Sequence, residues 1–349
     1  MKVTLHEVAA RAEVSIATAS RALNGLAVSK ASLARVEKAV RELGYVPNQA
    51  ARALRAERTM TMGLIFSDLR NTLGIDLLDA LSEAIEEAGY SLLISTARGD
   101  ADRYDVLMRR FLERRIDALF CIAPHGRGEA LAAYRAAGIP IIAMFGRGAA
   151  FAELPTVVPI FSEPVRALGE HLRALGHARI AVVRREGGAA VNATAEGLKA
   201  QGFTVELIEA TETDGMGGVL ARLLRDRPRP SVVVVADPQS RGLIAACAVH
   251  NVAVPGHLGV VSISEVGADA YHRRHGISAV AIDPQRMGRA SAAAMLAWLA
   301  GARPADKIKV QAAQFTARAS TGPFSASSVT PRPPVRGAAG PLPLPLGEV

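Results

Sequence analysis

Residues 15–21, Ser-Ile-Ala-Thr-Ala-Ser-Arg, have the types and the spacing that could read the edges of DNA bases. Ser15 favours the N-cap of a short helix, and small apolar residues would turn one face of that helix inward. The inward residues are Ala19, Ala22 and Leu23. Ile16, Ala17 and Arg21 are then left on the outer face. Such a helix suits a DNA major groove, where an arginine can form two hydrogen bonds with a guanine edge.

A second group of polar residues lies downstream, where each member follows an apolar run with the composition of a strand. The group comprises Asp68, Asn71, Arg98, Arg147, Arg184, Arg185, Asp237, Ser264 and Glu265. Ligands of open α/β sheets bind beyond the carboxyl ends of the strands. The four arginines of the group outnumber its three acids, and arginine suits the planar recognition of a carboxylate or phosphate. We hypothesise an anionic ligand, such as a sugar phosphate or a sugar acid. The alternatives are that some arginines lie on a solvated rim, or that ligand binding has been lost.

The first 58 residues supply the elements that would hold the DNA-reading residues in place. Thr4 and Glu7 have the spacing of a capping box, which predicts the start of a first helix. Ser29 and Gly44 are the start and stop signals of a third helix. The apolar stripe predicted for that helix is Leu33, Val36, Val40 and Leu43. The segment holds ten basic and five acidic residues, which suits a polyanionic partner, although a solvated basic face has the same composition.

Four stretches of this segment follow one another in a familiar order. They are Thr-Leu-His-Glu-Val-Ala at 4–9, Val-Ser-Ile-Ala-Thr-Ala-Ser-Arg-Ala-Leu-Asn-Gly at 14–25, Val-Ser at 28–29 and Gly-Tyr-Val-Pro-Asn at 44–48. Together they closely resemble the helix-turn-helix domain of the LacI/GalR family of bacterial transcriptional regulators, named for the lactose and galactose repressors. The alternative is an ordinary corner between two packed helices. The resemblance implies a sequence-specific repressor that binds near-palindromic double-stranded DNA as a homodimer or, alternatively, as a tetramer.

The resemblance also implies a hinge helix at 47–56 that folds on DNA and inserts Leu54 between base steps. The alternative is an interdomain linker with incidental helicity. The predicted DNA-binding residues are Thr4, Ser15, Ile16, Ala17, Thr18, Arg21, Asn24, Asn48, Arg52 and Leu54.

From Met62 onward, apolar runs alternate with helical stretches. The runs are 63–66, 92–95, 118–122, 141–145, 157–160, 180–183, 205–208, 232–236, 259–263 and 279–282. Continuous apolar strands separated by helices predict parallel sheets covered on both faces, which is the α/β doubly wound architecture. Ten strands are many for one sheet. We therefore predict two Rossmann-like subdomains with a cleft, preceded by a small all-α helix-turn-helix domain.

The predicted domain boundaries follow these composition changes. They are 1–46 for the helix-turn-helix domain, 47–60 for the hinge helix and linker, 61–322 for the effector-binding and dimerisation core, and 323–349 for a disordered Pro-rich tail. Within the core, the N-subdomain is expected at 61–160 and 285–312, and the C-subdomain at 161–283 and 314–322.

The resemblance continues to about Gly322, where it implies a core similar to periplasmic sugar-binding proteins with three crossovers between the subdomains. It departs where sugar- and purine-responsive members place ligand-binding residues, because Ser162-Glu163, Thr194 and Ser264-Glu265 stand there instead. A sugar effector is therefore not carried over. The predicted effector-binding residues are Asp68, Asn71, Arg98, Arg147, Ser162, Arg184, Thr194, Asp237 and Ser264. Removing Arg147 or Arg184 should abolish stabilisation by an anion.

The sequence contains no P-loop, zinc-protease or serine-hydrolase motif, so we predict neither enzymatic activity nor a cofactor. The loosely spaced histidine pairs are 171 with 177 and 272 with 275, and we interpret them as surface residues rather than metal ligands. A solute-binding or sensory module, in which residues 1–58 serve assembly only, is the alternative to a DNA-binding regulator.

Two features concern the cellular compartment. Cys121 and Cys247 lie in apolar surroundings, which predicts buried, reduced thiols. We find neither a signal peptide nor an apolar run of membrane length, so the expected location is cytoplasmic, with no membrane partner.

Overall fold

The computed structural model describes most of the chain. The described residues are 3–23, 25–45, 58–67, 73–146, 148–184, 189–210, 215–225, 228–237, 239–266 and 270–323. The chain divides into two compact units, residues 1–61 with 115–117 and residues 62–114 with 118–349. The tail from residue 324 lies outside the described residues, so its disorder stays a prediction, as do the proposed domain boundaries.

The smaller unit contains three helices, which are α1 (Leu5–Arg11), α2 (Ile16–Leu23) and α3 (Lys30–Leu43), among the residues described. The predicted capping box of Thr4 and Glu7 is present. Ser29 Oγ accepts a hydrogen bond from the Ser32 N–H at 3.2 Å. Helix α3 ends at Gly44, which has the left-handed conformation with φ 61°. The sequence signals for helix ends are therefore confirmed.

Small side chains form the core of this unit. Val8, Ala19 and Val36 are fully buried at its centre, and alanine at the contact lets helices approach closely. The predicted inward face of α2 is confirmed. The predicted stripe of α3 was wrong at Leu33, which is exposed, because the buried part of the helix begins one turn later at Val36.

The larger unit is an α/β structure. Its strands, with β1 beginning at the junction, are β1 (Thr61–Phe66), β2 (Ser91–Thr96), β3 (Ala118–Ile122), β4 (Ile141–Met144), β5 (Thr156–Pro159), β6 (Arg179–Arg184), β7 (Thr204–Glu209), β8 (Val232–Ala236), β9 (Gly259–Val266), β10 (Ser278–Ile282), β11 (Lys307–Val310) and β12 (Ala313–Thr316). Its helices are α4 (Leu73–Glu87), α5 (Ala101–Glu113), α6 (Leu131–Ala136), α7 (Ser162–Ala174), α8 (Ala189–Ala200), α9 (Gly215–Arg225), α10 (Gln239–Val249), α11 (Ala270–Arg274) and α12 (Pro284–Leu299).

These strands form two six-stranded sheets within the described part of the chain. The strand orders are β11-β5-β4-β3-β1-β2 and β12-β10-β9-β8-β6-β7. Pairs at the sheet centres are parallel, with Leu64 opposite Phe120 in the first sheet and Val234 opposite Val261 in the second. Among the strand pairs described, only the pair of β10 and β12 is antiparallel. The predicted fold class is confirmed.

Strands β11 and β12 were not predicted. Each has four residues, and in β11 exposed lysines alternate with half-buried apolar side chains. Edge strands of this kind lack the continuous apolar run that marks a strand buried on both faces.

The chain passes between the two sheets three times, from β5 to α7, from β10 to α12 and from β11 to β12. Their number matches the three crossovers that the family resemblance implied. They bring the carboxyl ends of strands from both sheets into one unit, which positions the candidate site.

Helices α4 and α12 pack closely against each other beside the first sheet. A Cβ atom on Gly288 would lie 2.7 Å from Leu77 O and 3.0 Å from Leu81 N, so this position requires glycine. Among the described helices, none is both long and apolar enough to cross a membrane.

Candidate functional site

The outer face of α2 carries the residues predicted to read DNA. Ser15 Oγ accepts a hydrogen bond from the Thr18 N–H at 3.1 Å, and the two hydroxyl oxygens lie 2.9 Å apart. This cap fixes the first turn of α2. Ile16, Ala17 and Arg21 are exposed on its outer face, so the predicted orientation is confirmed, although base reading itself stays a prediction.

Thr4 is occupied by its own helix. Its N–H and hydroxyl both donate to Glu7 Oε2, at 2.7 and 2.9 Å. These hydrogen bonds lower the pKa of Glu7, with the backbone bond as the largest cause. The Thr4 side chain therefore fixes the start of α1, and its proposed role at DNA stays a prediction.

Eight of the predicted residues lie outside the described part of the chain, namely Asn24, Asn48, Arg52, Leu54, Asp68, Asn71, Arg147 and Arg185. For Ser264 and Glu265, only the backbone in β9 is described.

The remaining predicted effector residues differ widely in exposure. Arg98 is exposed in the turn after β2, with φ 57°. Ser162 is exposed at the start of α7 and lines a cavity of about 550 Å³ together with Phe161, Arg166 and Lys309. Both side chains can meet a solute.

Two predicted residues are engaged with other groups of the protein. Thr194 is fully buried, and its hydroxyl donates to Ala190 O at 2.8 Å within α8. A buried hydroxyl that is bonded within its own helix does not fit the predicted effector-binding role of Thr194. Arg184 Nε contacts Glu209 Oε1 on the neighbouring strand β7. The Arg184 charge is therefore compensated at the sheet edge, where the sequence offered no sign of the partnership.

The polar residues beyond β8 form a compact group that we call the Asp237 cluster, comprising Asp237, Ser240, Arg241, Tyr271 and His272. Asp237 Oδ1 lies 3.7 Å from Arg241 Nε and 3.7 Å from His272 Nε2. The same Nε2 is 2.8 Å from Ser240 Oγ. The guanidinium carbon of Arg241 stands 4.9 Å from the Tyr271 ring centre, a cation–π distance.

Asp237 is the one member of the Asp237 cluster that was predicted from the sequence to bind a ligand. The interpretation of His272 as a surface residue was wrong, because its imidazole is fully buried. The other members come from the start of α10 and from α11, so only the fold brings them together. The i, i+4 spacing of Asp237 and Arg241 on one helix start was the available signal. Although serine, histidine and aspartate meet here, Ser240 and Asp237 approach the same ring nitrogen, which is not the geometry of a catalytic triad.

Comparisons with known proteins match both parts of the chain. A family model described as "Bacterial regulatory proteins, lacI family" matches residues 4–48. A second, described as "Periplasmic binding protein-like domain", matches residues 170–321. The HTH-type transcriptional regulator GntR of Pseudomonas aeruginosa is 30% identical over 342 residues, covering 91% of this chain and 95% of that protein. Catabolite control protein A of Priestia megaterium is 23% identical and covers 75% of this chain and 82% of its own.

Solved structures show the same fold. The lac repressor dimer bound to operator and the anti-inducer ONPF superimposes with a TM-score of 0.76 at 21% identity, covering 92% of this chain and 100% of that one. The helix-turn-helix unit and the two sheets fit the two family models. The relative from Pseudomonas aeruginosa matches along nearly the whole chain. The chain therefore belongs to the LacI family of bacterial transcriptional regulators, with a DNA-binding helix-turn-helix head and a periplasmic-binding-protein-like core.

Proposed function

We propose that this regulator is a homodimeric repressor that binds a near-palindromic operator and is controlled by a small anionic effector. The observation that carries the DNA-binding part is the outer face of α2, where Ile16, Ala17 and Arg21 are exposed on a capped helix. A two-fold dimer presents two such helices, and this symmetry explains a palindromic site. The segment 47–56, with Leu54 as the wedge, is the proposed switch between disordered linker and hinge helix.

Exposed apolar residues support the dimer. Strands β2 and β7 each form one edge of a sheet, and they expose Ile94 and Leu207. Ile75 on α4 and Val249 on α10 are 70% and 77% exposed. Edge strands and exposed apolar side chains are positions where a partner surface can bind. A second copy of the chain is the partner that we propose, and a tetramer is the alternative.

Arginine placement supports an anionic effector. Arg98 is exposed beyond β2, and Arg241 is 38% exposed in the first turn of α10 beyond β8. Stacking on Tyr271 orients the Arg241 guanidinium, which suits it to a carboxylate or phosphate. Relatives that match about a third of this chain are named sucrose and ribose operon repressors. A sugar phosphate or sugar acid fits both observations.

A gel-shift series tests the proposal. The full-length chain should retard DNA from upstream of its own gene, and anionic metabolites should change that retardation. A chain lacking residues 1–58 should lose the retardation and keep metabolite-induced thermal stabilisation of the core. Retention of DNA binding by the truncated chain would contradict the assignment of the head, whereas absence of DNA binding by the full chain would favour a solute-binding or sensory module.

A further inference from the structure

Asp117 binds the residues through which the chain enters β1. Its Oδ1 accepts the Thr59 N–H at 2.8 Å, and its Oδ2 accepts the Met60 N–H at 2.8 Å. The Thr59 hydroxyl is 3.1 Å from Oδ1 and 3.1 Å from Arg115 O. In return, the Asp117 N–H donates to Thr61 O at 2.8 Å. Each of residues 59–61 is thus bonded to the short segment 115–117, and we call this arrangement the Asp117 clamp.

The clamp stabilises a backbone conformation that is otherwise unfavourable. Met60 has φ 53°, in the left-handed region that L-residues with a side chain rarely adopt. The consecutive N–H groups of Thr59 and Met60 converge on one carboxylate. Without that carboxylate, we expect Met60 to leave the left-handed region. The direction of the chain at residue 58 would then no longer be fixed.

We propose that Asp117 is a positioning residue for operator binding, because it fixes the direction in which the chain enters β1 after the hinge segment 47–56. This proposal rests on the proposed function, in which that segment folds on the operator. Binding a specific operator requires one direction of the chain at residue 58. A chain that samples several directions binds more weakly in proportion to the fraction in the competent one. Non-specific binding, which depends on phosphate contacts alone, does not carry this requirement.

The test uses the full-length chain and a duplex that the wild-type chain selects from a randomised pool, beside a scrambled duplex of the same composition. Asp117→Asn keeps the shape and one acceptor oxygen, but its amide nitrogen cannot accept the second N–H. We expect the Kd for the selected duplex to rise about tenfold. Binding of the scrambled duplex and the melting temperature of the core should stay at wild-type values.

Matched variants separate the clamp from charge and from folding. Glu113→Gln removes the same charge from the exposed end of α5, four residues before Asp117, and should bind like the wild type. Thr59→Ser keeps the hydroxyl and should also bind like the wild type, whereas Thr59→Val should weaken specific binding about threefold, as expected for one lost hydrogen bond.

Three outcomes contradict the proposals in different ways. Wild-type affinity of Asp117→Asn for the selected duplex would overturn the clamp alone. Equal loss on the selected and scrambled duplexes would assign Asp117 to general structure and would also overturn it. Failure of the wild-type chain to select any duplex would overturn the proposed function, and the clamp's role with it.

Discussion

The outer face of α2 and the Asp237 cluster meet their surroundings in opposite ways. Ile16, Ala17 and Arg21 are exposed on a helix whose folding depends on its other face. In the Asp237 cluster, by contrast, His272 and Ser240 are fully buried and are bonded to each other. The first region can change its binding without changing stability. The second region ties binding and stability together, since its polar groups are also part of the core.

The largest effect is expected from His272→Ala. The variant removes a buried ring and leaves the Ser240 hydroxyl and the Asp237 carboxylate without that neighbour. We expect the free energy of unfolding of the core to fall by about 2–4 kcal/mol, measured by urea denaturation. Arg274→Ala alters an exposed residue of the same helix and should leave the core at wild-type stability. If the His272→Ala core were as stable as the wild-type core, the Asp237 cluster would not link binding to stability.

Arg21→Ala tests whether the outer face of α2 can lose binding without losing stability. Loss of the proposed two hydrogen bonds to guanine should cost about 1–3 kcal/mol of operator binding and relax specificity at one base pair in each half-site. Binding is measured by fluorescence anisotropy against single-base variants of the operator. The unfolding curve should not move, because the side chain is exposed. A loss that is equal on all sequences would make Arg21 a phosphate contact only.

The same contrast explains which features of the structure can be predicted from the sequence. The capping box at Thr4, the cap at Ser15 and the stop at Gly44 depend on residues within one or two turns, so spacing alone predicts them. The buried strands are predictable for a related reason, since a parallel strand covered on both faces must be apolar throughout. The fold class and the orientation of α2 could thus be derived from local patterns.

The contacts of the candidate effector-binding residues could not be derived in this way. Arg184 meets Glu209 from the next strand, and Asp237 meets His272 from α11, 35 positions along the chain. These pairings depend on strand order and on helix placement, which no local spacing encodes. Thr194 was predicted from the family resemblance to bind the effector. Its side chain is instead buried, and its hydroxyl is bonded within its own helix.

A smaller effect is expected from pH, and it should be confined to the core. His177 is buried, with Nε2 donating to Gly322 O at 3.0 Å and Nδ1 2.9 Å from Ser231 Oγ. Burial lowers the pKa of His177 below its ordinary value of 6.5, and it also lowers the pKa of His171. The unfolded chain therefore binds more protons than the folded one. This part of the stability is complete above about pH 6.5 and is lost as the pH falls through the lowered values.

Thermal unfolding of the chain lacking residues 1–58 measures this pH dependence directly. The melting temperature should fall between pH 7.5 and pH 5, and His177→Gln should flatten the decline while lowering the melting temperature at pH 7.5. A decline that is equally steep in His177→Gln would assign the pH dependence to other groups.

The smallest change in stability is expected from Arg184→Met, and its comparison with Arg241→Met divides arginines that the sequence treats alike. Arg184 forms an ion pair with Glu209 at a partly exposed edge, so its loss should cost about 0–1 kcal/mol of stability. Because Glu209 compensates its charge, we now expect anionic metabolites to raise the melting temperature of Arg184→Met as in the wild type. This outcome would separate the present prediction from the one drawn from the sequence, in which Arg184 binds the anion. Arg241 also has a carboxylate neighbour, Asp237 Oδ1 at 3.7 Å, but its guanidinium is in addition held against the Tyr271 ring. We therefore expect Arg241→Met to lose the rise. If neutral sugars alone stabilise the core and both variants respond to them, the effector is not anionic, and the cleft arginines are rim residues.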